Sequence, residues 1–272
     1  MASTRLELDQ LLIQIGQVGK RLSDIGAAEG AAGNLSICFR ESLDITILFP
    51  KMEMMELPVA APDLAGATII VTGSGRRLRD IIDAPTANLA CITVERDGRT
   101  GRMFTSYDRL FTRVTSEFNS HLAVHHDQMR SRALKLHTVL HGQPLYLTFL
   151  SHLANYQDQK YLNQHLLRWQ PETILTFPEG ISVLPFMLLA STQLMIETML
   201  ALRDRQLVVW SQHGVMTRSD NSISHALDLI EYAETAAHYE CLNLLGGDLS
   251  AGLTPQAIRA IADSVNIQQN IF

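Results

Sequence analysis

A chain of 272 residues with 46% hydrophobic and 18% charged residues can bury a sizeable core, and its balance excludes intrinsic disorder. A net charge of -6 and a pI near 5.9 exclude the basic stripe that a nucleic-acid backbone demands, yet leave room for a single phosphate held by a local nest of donors. Cys38, Cys91 and Cys241 are scattered, odd in number and free of any CxxC pair, which points to a reducing compartment rather than a disulfide framework.

Glu7 and Asp9 interrupt the stretch from Met1 to Leu12 before any apolar run forms, so no signal peptide is expected. No apolar stretch reaches membrane-spanning length, although Ile181 to Ala190 is quite hydrophobic. The expectation is a cytoplasmic protein with neither membrane nor nucleic-acid partners. Leu8, Leu11, Leu12, Ile15, Val18, Leu22 and Ile25 recur at helical spacing and predict an amphipathic helix from Leu6 to Gly26. A Gly/Ala-rich turn follows, then two alternating runs, Leu35 to Arg40 and Asp44 to Phe49, that read as a strand pair. Pro50 to Pro62, polar and Met-rich, reads as a loop.

Thr68 to Thr72 is a buried-type strand ending in Gly73-Ser74-Gly75, and Asn88 to Glu95 is a second, turned by Asp97-Gly98 into Gly101 to Thr105. Helix is predicted from Ser116 to Arg130, strand from Ala133 to Leu140, and helix again from Leu145 to Ala154. Thr173 to Phe177 reads as a short strand, Ser191 to Arg203 as a capped helix, Gln206 to Trp210 as a strand. A long helix from Ser222 to Leu245 ends at Gly246-Gly247. No linker or repeat breaks this alternation, so one α/β domain spanning 1–272 is predicted.

Chemistry concentrates at three places. In Ile70-Val71-Thr72-Gly73-Ser74-Gly75 a strand enters a small-residue turn whose backbone N–H groups can approach an anion, with Ser74 adding a hydroxyl; the same pattern also serves as an ordinary strand-ending turn. Arg76, Arg77 and Arg79 beyond it are either a solvated run or an anion attractor. Thr115-Ser116-Glu117 can simply cap a helix, or can hold a phosphate while Glu117 accepts a proton. His141 and His213 each end an apolar strand, where α/β proteins place ligands, and each precedes a glycine; structural imidazoles remain the other reading. His137, four residues before His141 on a strand, is too far from it to share an ion, and His125 and His126 are expected to be exposed.

Taken together, Gly33-Asn34-Leu35-Ser36, Val71 to Gly75, Thr115-Ser116-Glu117, His141-x-Gln143 and His213-Gly214-Val215, in that order, resemble the class II aldolase/adducin family. Phe177-Pro178-Glu179-Gly180 and Leu184-Pro185-Phe186-Met187 add similarity to its ketose-1-phosphate aldolases of the rhamnulose type, over most of the chain. The resemblance implies a three-layer α/β/α sandwich around a central, mainly antiparallel sheet. It implies Zn²⁺ or another divalent metal at His141, His213 and the position of Gln143, where the family has a third histidine. It implies retro-aldol cleavage of a phosphorylated sugar to dihydroxyacetone phosphate and a lactaldehyde-type product, with Glu117 moving protons. Gly33, Asn34, Ser74, Gly75, Thr115 and Ser116 match the family's phosphate and substrate cradle. Glu172 matches an acid supplied by an adjacent subunit, implying a homotetramer.

Two departures stand out. A neutral amide oxygen at Gln143 is a weaker zinc donor than an imidazole, and Ala31 stands where related chains carry an asparagine. The loss of a donor to a charged group costs about 1.5 to 3 kcal/mol. Other readings are therefore a non-catalytic binding or assembly module, or an epimerase or decarboxylase that shares the enolate chemistry. A Schiff-base route needs a desolvated lysine, and only Lys135 lies in a predicted strand.

Overall fold

A computed structural model describes residues 2–41, 43–269 and 271–272; Met1, Ser42 and Asn270 of the predicted 1–272 domain lie outside the described residues. Its strands are β1 (Asn34–Phe39), β2 (Lys51–Glu56), β3 (Thr68–Thr72), β4 (Leu89–Val94), β5 (Thr100–Thr105), β6 (Leu136–Gly142), β7 (Ser182–Leu184), β8 (Leu207–Trp210) and β9 (Gly214–Ser219). They form one sheet in the order β2-β5-β4-β3-β1-β6-β9-β8-β7, antiparallel throughout except for the β7–β8 pair. The helices are α1 (Ala2–Asp24), α2 (Pro85–Asn88), α3 (Phe118–Arg132), α4 (Leu145–Leu150), α5 (Gln159–Leu166), α6 (Pro171–Thr176), α7 (Thr192–Ala201), α8 (Ile223–Leu245) and α9 (Pro255–Ser264).

Strand alternation sorts side chains between two helical layers. Leu35 and Ile37 of β1, Leu140 of β6 and Val209 of β8 pack toward α1 and α8 with Ile15, Leu22, Ala226 and Ile230. On the other face, α3 brings Phe118, Leu122 and Met129 against Ile69, Val71 and Ile92, while Val124 meets Val139 and Trp210 beside α7. The predicted α/β/α layering and mainly antiparallel sheet are present.

Three predicted elements are corrected. Asp44 to Phe49 is a turn, not a strand: the Phe49 amide donates to the Ile45 carbonyl at 2.9 Å, a helix-like span that buries Ile45 and Phe49 and turns Ile47 outward. The partners of β1 are therefore β3 and β6. Within the predicted loop 50–62 lies β2, an edge strand on β5 that exposes nearly every side chain and so carries no buried alternation to read. Thr173 to Thr176 lie in helix α6, with Phe177 at its C-cap, and its first residue Pro171 has its φ preset for a helix.

The remaining strong patterns lie where expected, with Ser191 and Ser222 capping α7 and α8 through hydroxyls that accept from Leu194 and His225 amides. Cys38, Cys91 and Cys241 are free and buried. Among the described residues no helix is long and apolar enough to cross a membrane.

Candidate metal centre

Two antiparallel registers assemble the site. β1 and β6 pair Asn34 opposite His141, and β6 pairs with β9, which begins at Gly214 directly after His213. The β8–β9 hairpin turns through Ser211, Gln212 and His213, with Gln212 at φ +64° and the His213 amide donating to the Trp210 carbonyl at 3.0 Å. A Cβ at Gly214 would lie 2.5 Å from the Gly142 carbonyl oxygen and 3.0 Å from Gln143 Cγ, so this closeness of β6 and β9 needs glycine there. Gly33, at φ +80°, turns the chain into β1 immediately before Asn34.

The third component comes from the segment ahead of α3, where the Thr115 amide donates to the Thr72 carbonyl at 3.0 Å and docks the segment on the end of β3. Glu117 occupies the N-cap position of α3, but its carboxylate makes no cap hydrogen bond. Instead it points inward, 3.6 Å from His141 Nε2 and 3.7 Å from His213 Nε2. Both separations exceed a hydrogen bond. They suit ligands of one cation, because two donors each about 2.1 Å from a tetrahedral zinc lie about 3.4 Å apart. Among the described residues Glu117, His141 and His213 are the one such cluster, with ligating atoms within 4.8 Å of one another.

The hydrogen-bond partners favour that role. His141 Nδ1 lies 2.8 Å from the Val215 carbonyl oxygen, an acceptor only, so Nδ1 carries the hydrogen and Nε2 faces the cluster. Burial depresses His213 to about 4, with the charge of His141 adding to the effect and that of Glu117 opposing it. Burial would raise the Glu117 carboxyl, but the charge of His141, a hydrogen bond from Asn34 and the charge of His213 outweigh it and leave it below the ordinary range. The set is two imidazoles and one carboxylate, a donor combination that zinc accepts. His213 Nδ1 is buried without a hydrogen-bond partner among the described residues.

These side chains open into a cavity of about 170 Å³ lined also by Gly33, Asn34, Ser74, Gly75, Thr115, Ser116 and Gln143, so nearly all of the predicted site residues converge. Ala31, Ala32, Gly73, Arg76 and Leu189 complete the wall. Larger clefts elsewhere, such as the one of about 360 Å³ bordered by Arg21, Gln170, Glu231 and Glu234, gather no such ligand cluster, and donor chemistry outweighs size in marking the site.

The cradle differs in detail from the sequence expectation. The Ser74 and Thr115 amides are spent on the Arg113 and Thr72 carbonyls, whereas the Gly75 and Ser116 amides have no hydrogen-bond partner among the described residues. Anion-binding capacity therefore rests on the Ser74, Thr115 and Ser116 hydroxyls with two amides. Arg76 reaches the cavity with its guanidinium held by Asn88 Oδ1 at 2.9 Å and the Leu110 carbonyl at 3.0 Å. Glu172, exposed in the first turn of α6, does not line this chain's cavity.

The expectation of an exposed His125 is corrected. It is fully buried and hydrogen-bonded to Ser36 and His137, while His126 is partly buried and paired with Asp63 at 2.8 Å. His137, on β6, stays apart from the cluster, as its strand spacing requires. Lys135 precedes β6 rather than lying within it. His121 and Ser36 stand behind Asn34; Ser36 belongs to the Gly33–Ser36 motif, whereas His121 is signalled in the sequence only by its i, i+4 spacing to His125 on one helix face.

Known proteins show the same architecture and sequence pattern. A sugar-phosphate aldolase from Thermotoga maritima superposes with a TM-score of 0.76 at 24% identity, covering 90% of this chain and 100% of its own. L-fuculose-1-phosphate aldolase from Thermus thermophilus gives 0.58 at 16%, covering 89% and 98%. Rhamnulose-1-phosphate aldolase of Enterococcus faecalis is 27% identical over 220 residues, 80% of this chain and 77% of the relative. That of Bacteroides thetaiotaomicron is 28% identical over 229 residues, 82% of each. The family described as Class II Aldolase and Adducin N-terminal domain matches residues 13–241, the span that contains every strand and the whole His/Glu cluster. With sheet, cluster and sequence match in agreement, the chain belongs to the class II aldolase and adducin family.

Proposed function

We propose that the protein is a divalent-metal-dependent aldehyde-lyase that cleaves a ketose 1-phosphate of the rhamnulose type to dihydroxyacetone phosphate and a lactaldehyde-type aldehyde. The observation that carries this reading is the convergence of Glu117, His141 and His213 in a cavity walled by hydroxyls and free amides. The named relatives that act on rhamnulose 1-phosphate supply the substrate class.

His141, His213 and Glu117 would hold the metal, with the Gln143 amide at the same cavity wall as a weaker fourth donor. When bound, a divalent cation supplies Lewis-acid stabilisation of the negative charge that develops as the C3–C4 bond breaks. Ser74, Gly75, Thr115 and Ser116 hold the phosphate, and Arg76 adds positive charge nearby. As the C4 hydroxyl gives up its proton to Glu172 of a second copy, the electron pair of the C3–C4 bond passes to the C2 oxygen, and the Glu117 carboxylate takes a proton from solvent and delivers it to C3. Glu172 from a second copy of the chain serves the hydroxyl of the departing aldehyde, in a homotetramer. Phe186, Leu188 and Leu189, exposed by 57%, 72% and 58% between β7 and α7, support a surface covered by another copy.

Metal analysis of the purified protein and an assay for dihydroxyacetone phosphate release from ketose 1-phosphates test this reading. Bound zinc together with cleavage supports it. No bound metal and no cleavage of any phosphorylated ketose would overturn it in favour of a second reading, a binding or assembly module, which the substitution at Gln143 favours.

A further inference from the structure

Behind the candidate metal centre, on the α3 side of the sheet, lies a line of polar side chains that no step above uses. Asn34, His121, Ser36, His125 and His137 are all nine-tenths or more buried, and in this order consecutive members lie within hydrogen-bond distance. The direction of each bond follows from its chemistry.

An ionised carboxylate only accepts, so the contact of 2.7 Å between Asn34 and Glu117 Oε2 is a donation from Nδ2. Asn34 Oδ1 must then accept, and His121 Nε2, 2.5 Å away, must carry the hydrogen. A neutral His121 has a bare Nδ1, which takes the single hydroxyl hydrogen of Ser36 at 2.7 Å. The Ser36 oxygen is left to accept from His125 Nε2 at 2.7 Å. His125 Nδ1 is then bare and receives the Nδ1 hydrogen of His137 at 2.7 Å.

The far end explains why the chain runs this way. His137 Nε2 is left without a hydrogen-bond partner among the described residues, 4.0 Å from Asp220, too far for a hydrogen bond. Asp220 is itself engaged by Arg132 at 3.0 Å and Arg218 at 3.2 Å, and therefore has little demand for a hydrogen from His137. The reversed chain would turn the Asn34 oxygen toward the Glu117 carboxylate, setting acceptor against acceptor in a buried site.

We propose that Ser36, His121, His125 and His137 are positioning residues: their one-way hydrogen-bond chain locks the Asn34 amide with Nδ2 toward Glu117 and so aims that carboxylate at His141 and His213. Asn34 sits at the first position of β1, and its amide can rotate unless a directed donor fixes its oxygen. His121 supplies that donor, and each further member fixes the tautomer of the one before it. Three neutral imidazoles and one hydroxyl thus carry orientation from the opposite end of β6 to the site.

The kinetic arm of the test rests on the lyase reading, while the spectroscopic arm does not. In the intact protein labelled with ¹⁵N at histidine, long-range ¹H–¹⁵N spectra at neutral pH should show His121 and His125 protonated on Nε2 and His137 on Nδ1, with and without zinc. Any of the three in the opposite tautomer, or as imidazolium, overturns the chain. Thr and Val at position 36 have nearly the same shape and differ in the hydroxyl. S36V should lower kcat roughly tenfold with KM within about twofold, and S36T should restore kcat. Equal kcat for the two variants overturns the positioning role. Where neither variant folds, the wild-type spectra decide. A complete lack of turnover with the expected tautomers would sink the lyase reading and leave the chain standing.

Discussion

Asn34 donates through Nδ2 to Glu117 Oε2 at 2.7 Å, tying the first residue of β1 to the residue that opens α3. The bond spans 83 positions of sequence and turns what would be a helix cap into a carboxylate facing two imidazoles. A buried charge with one directed donor and two imidazoles nearby keeps its ionised form.

Glu117→Gln removes both the charge and the proton carrier while keeping the shape. Turnover of a ketose 1-phosphate should fall roughly 10²- to 10⁴-fold, with zinc affinity also lowered. Steady-state kinetics beside titration calorimetry with zinc measure the two effects. Activity within a factor of a few of wild type would remove Glu117 from the chemistry.

Gln143→His places an imidazole at the wall already shared by His141 and His213. Zinc affinity should rise by at least about tenfold, and the melting temperature in zinc should rise with it. Metal titration followed by a thermal scan checks this. Unchanged affinity would show that position 143 does not reach the ion.

Acid should destabilise the fold over a wide window. Burial pushes His121 down to about 3, with His125 adding to the effect and Glu117 opposing it; burial also holds His125 and His137 well below 6.5. Because the unfolded chain takes up these protons near pH 6.5 and the native fold resists them, stability is complete above about 6.5 and declines as pH falls. The slope is about 1.4 kcal/mol per pH unit for each ring. The lowered Glu117 acts in the same direction, its contribution being present above its unfolded value and lost on acidification. Urea denaturation from pH 7 to 4 should show the decline, and H137Q should flatten it by one ring's share. An unaltered slope in H137Q would contradict the neutral, buried state of that ring.

Gly214→Ala drives a methyl group against the Gly142 carbonyl oxygen, 2.5 Å from the ideal Cβ position. Parting β6 from β9 should cost about 1 to 3 kcal/mol and weaken zinc binding, since His141 lies on β6 and His213 directly precedes β9. Equilibrium unfolding and metal titration of the same variant test both effects. Wild-type stability would mean that the hairpin yields without strain.

Sequence alone determined the elements whose periodicity is set by burial. The apolar stripe of α1, the fully buried β3 and β8, and the serine-capped α7 and α8 are written in residues that touch their own neighbours. Motif order also identified the residues that now line one cavity, because turn glycines, hydroxyls and strand-end histidines carry their local geometry with them. Tertiary structure decided the rest. Only the register of β1 against β6 sets Asn34 opposite His141, and only the docking of α3 turns Glu117 inward and buries His125, which a polar helix sequence had placed in solvent. β2 acquires its strand from hydrogen bonds to β5 rather than from side-chain burial. Local propensity acts over a few residues, whereas ligand geometry and hydrogen-bond direction depend on groups tens of residues apart that meet only when the sheet closes.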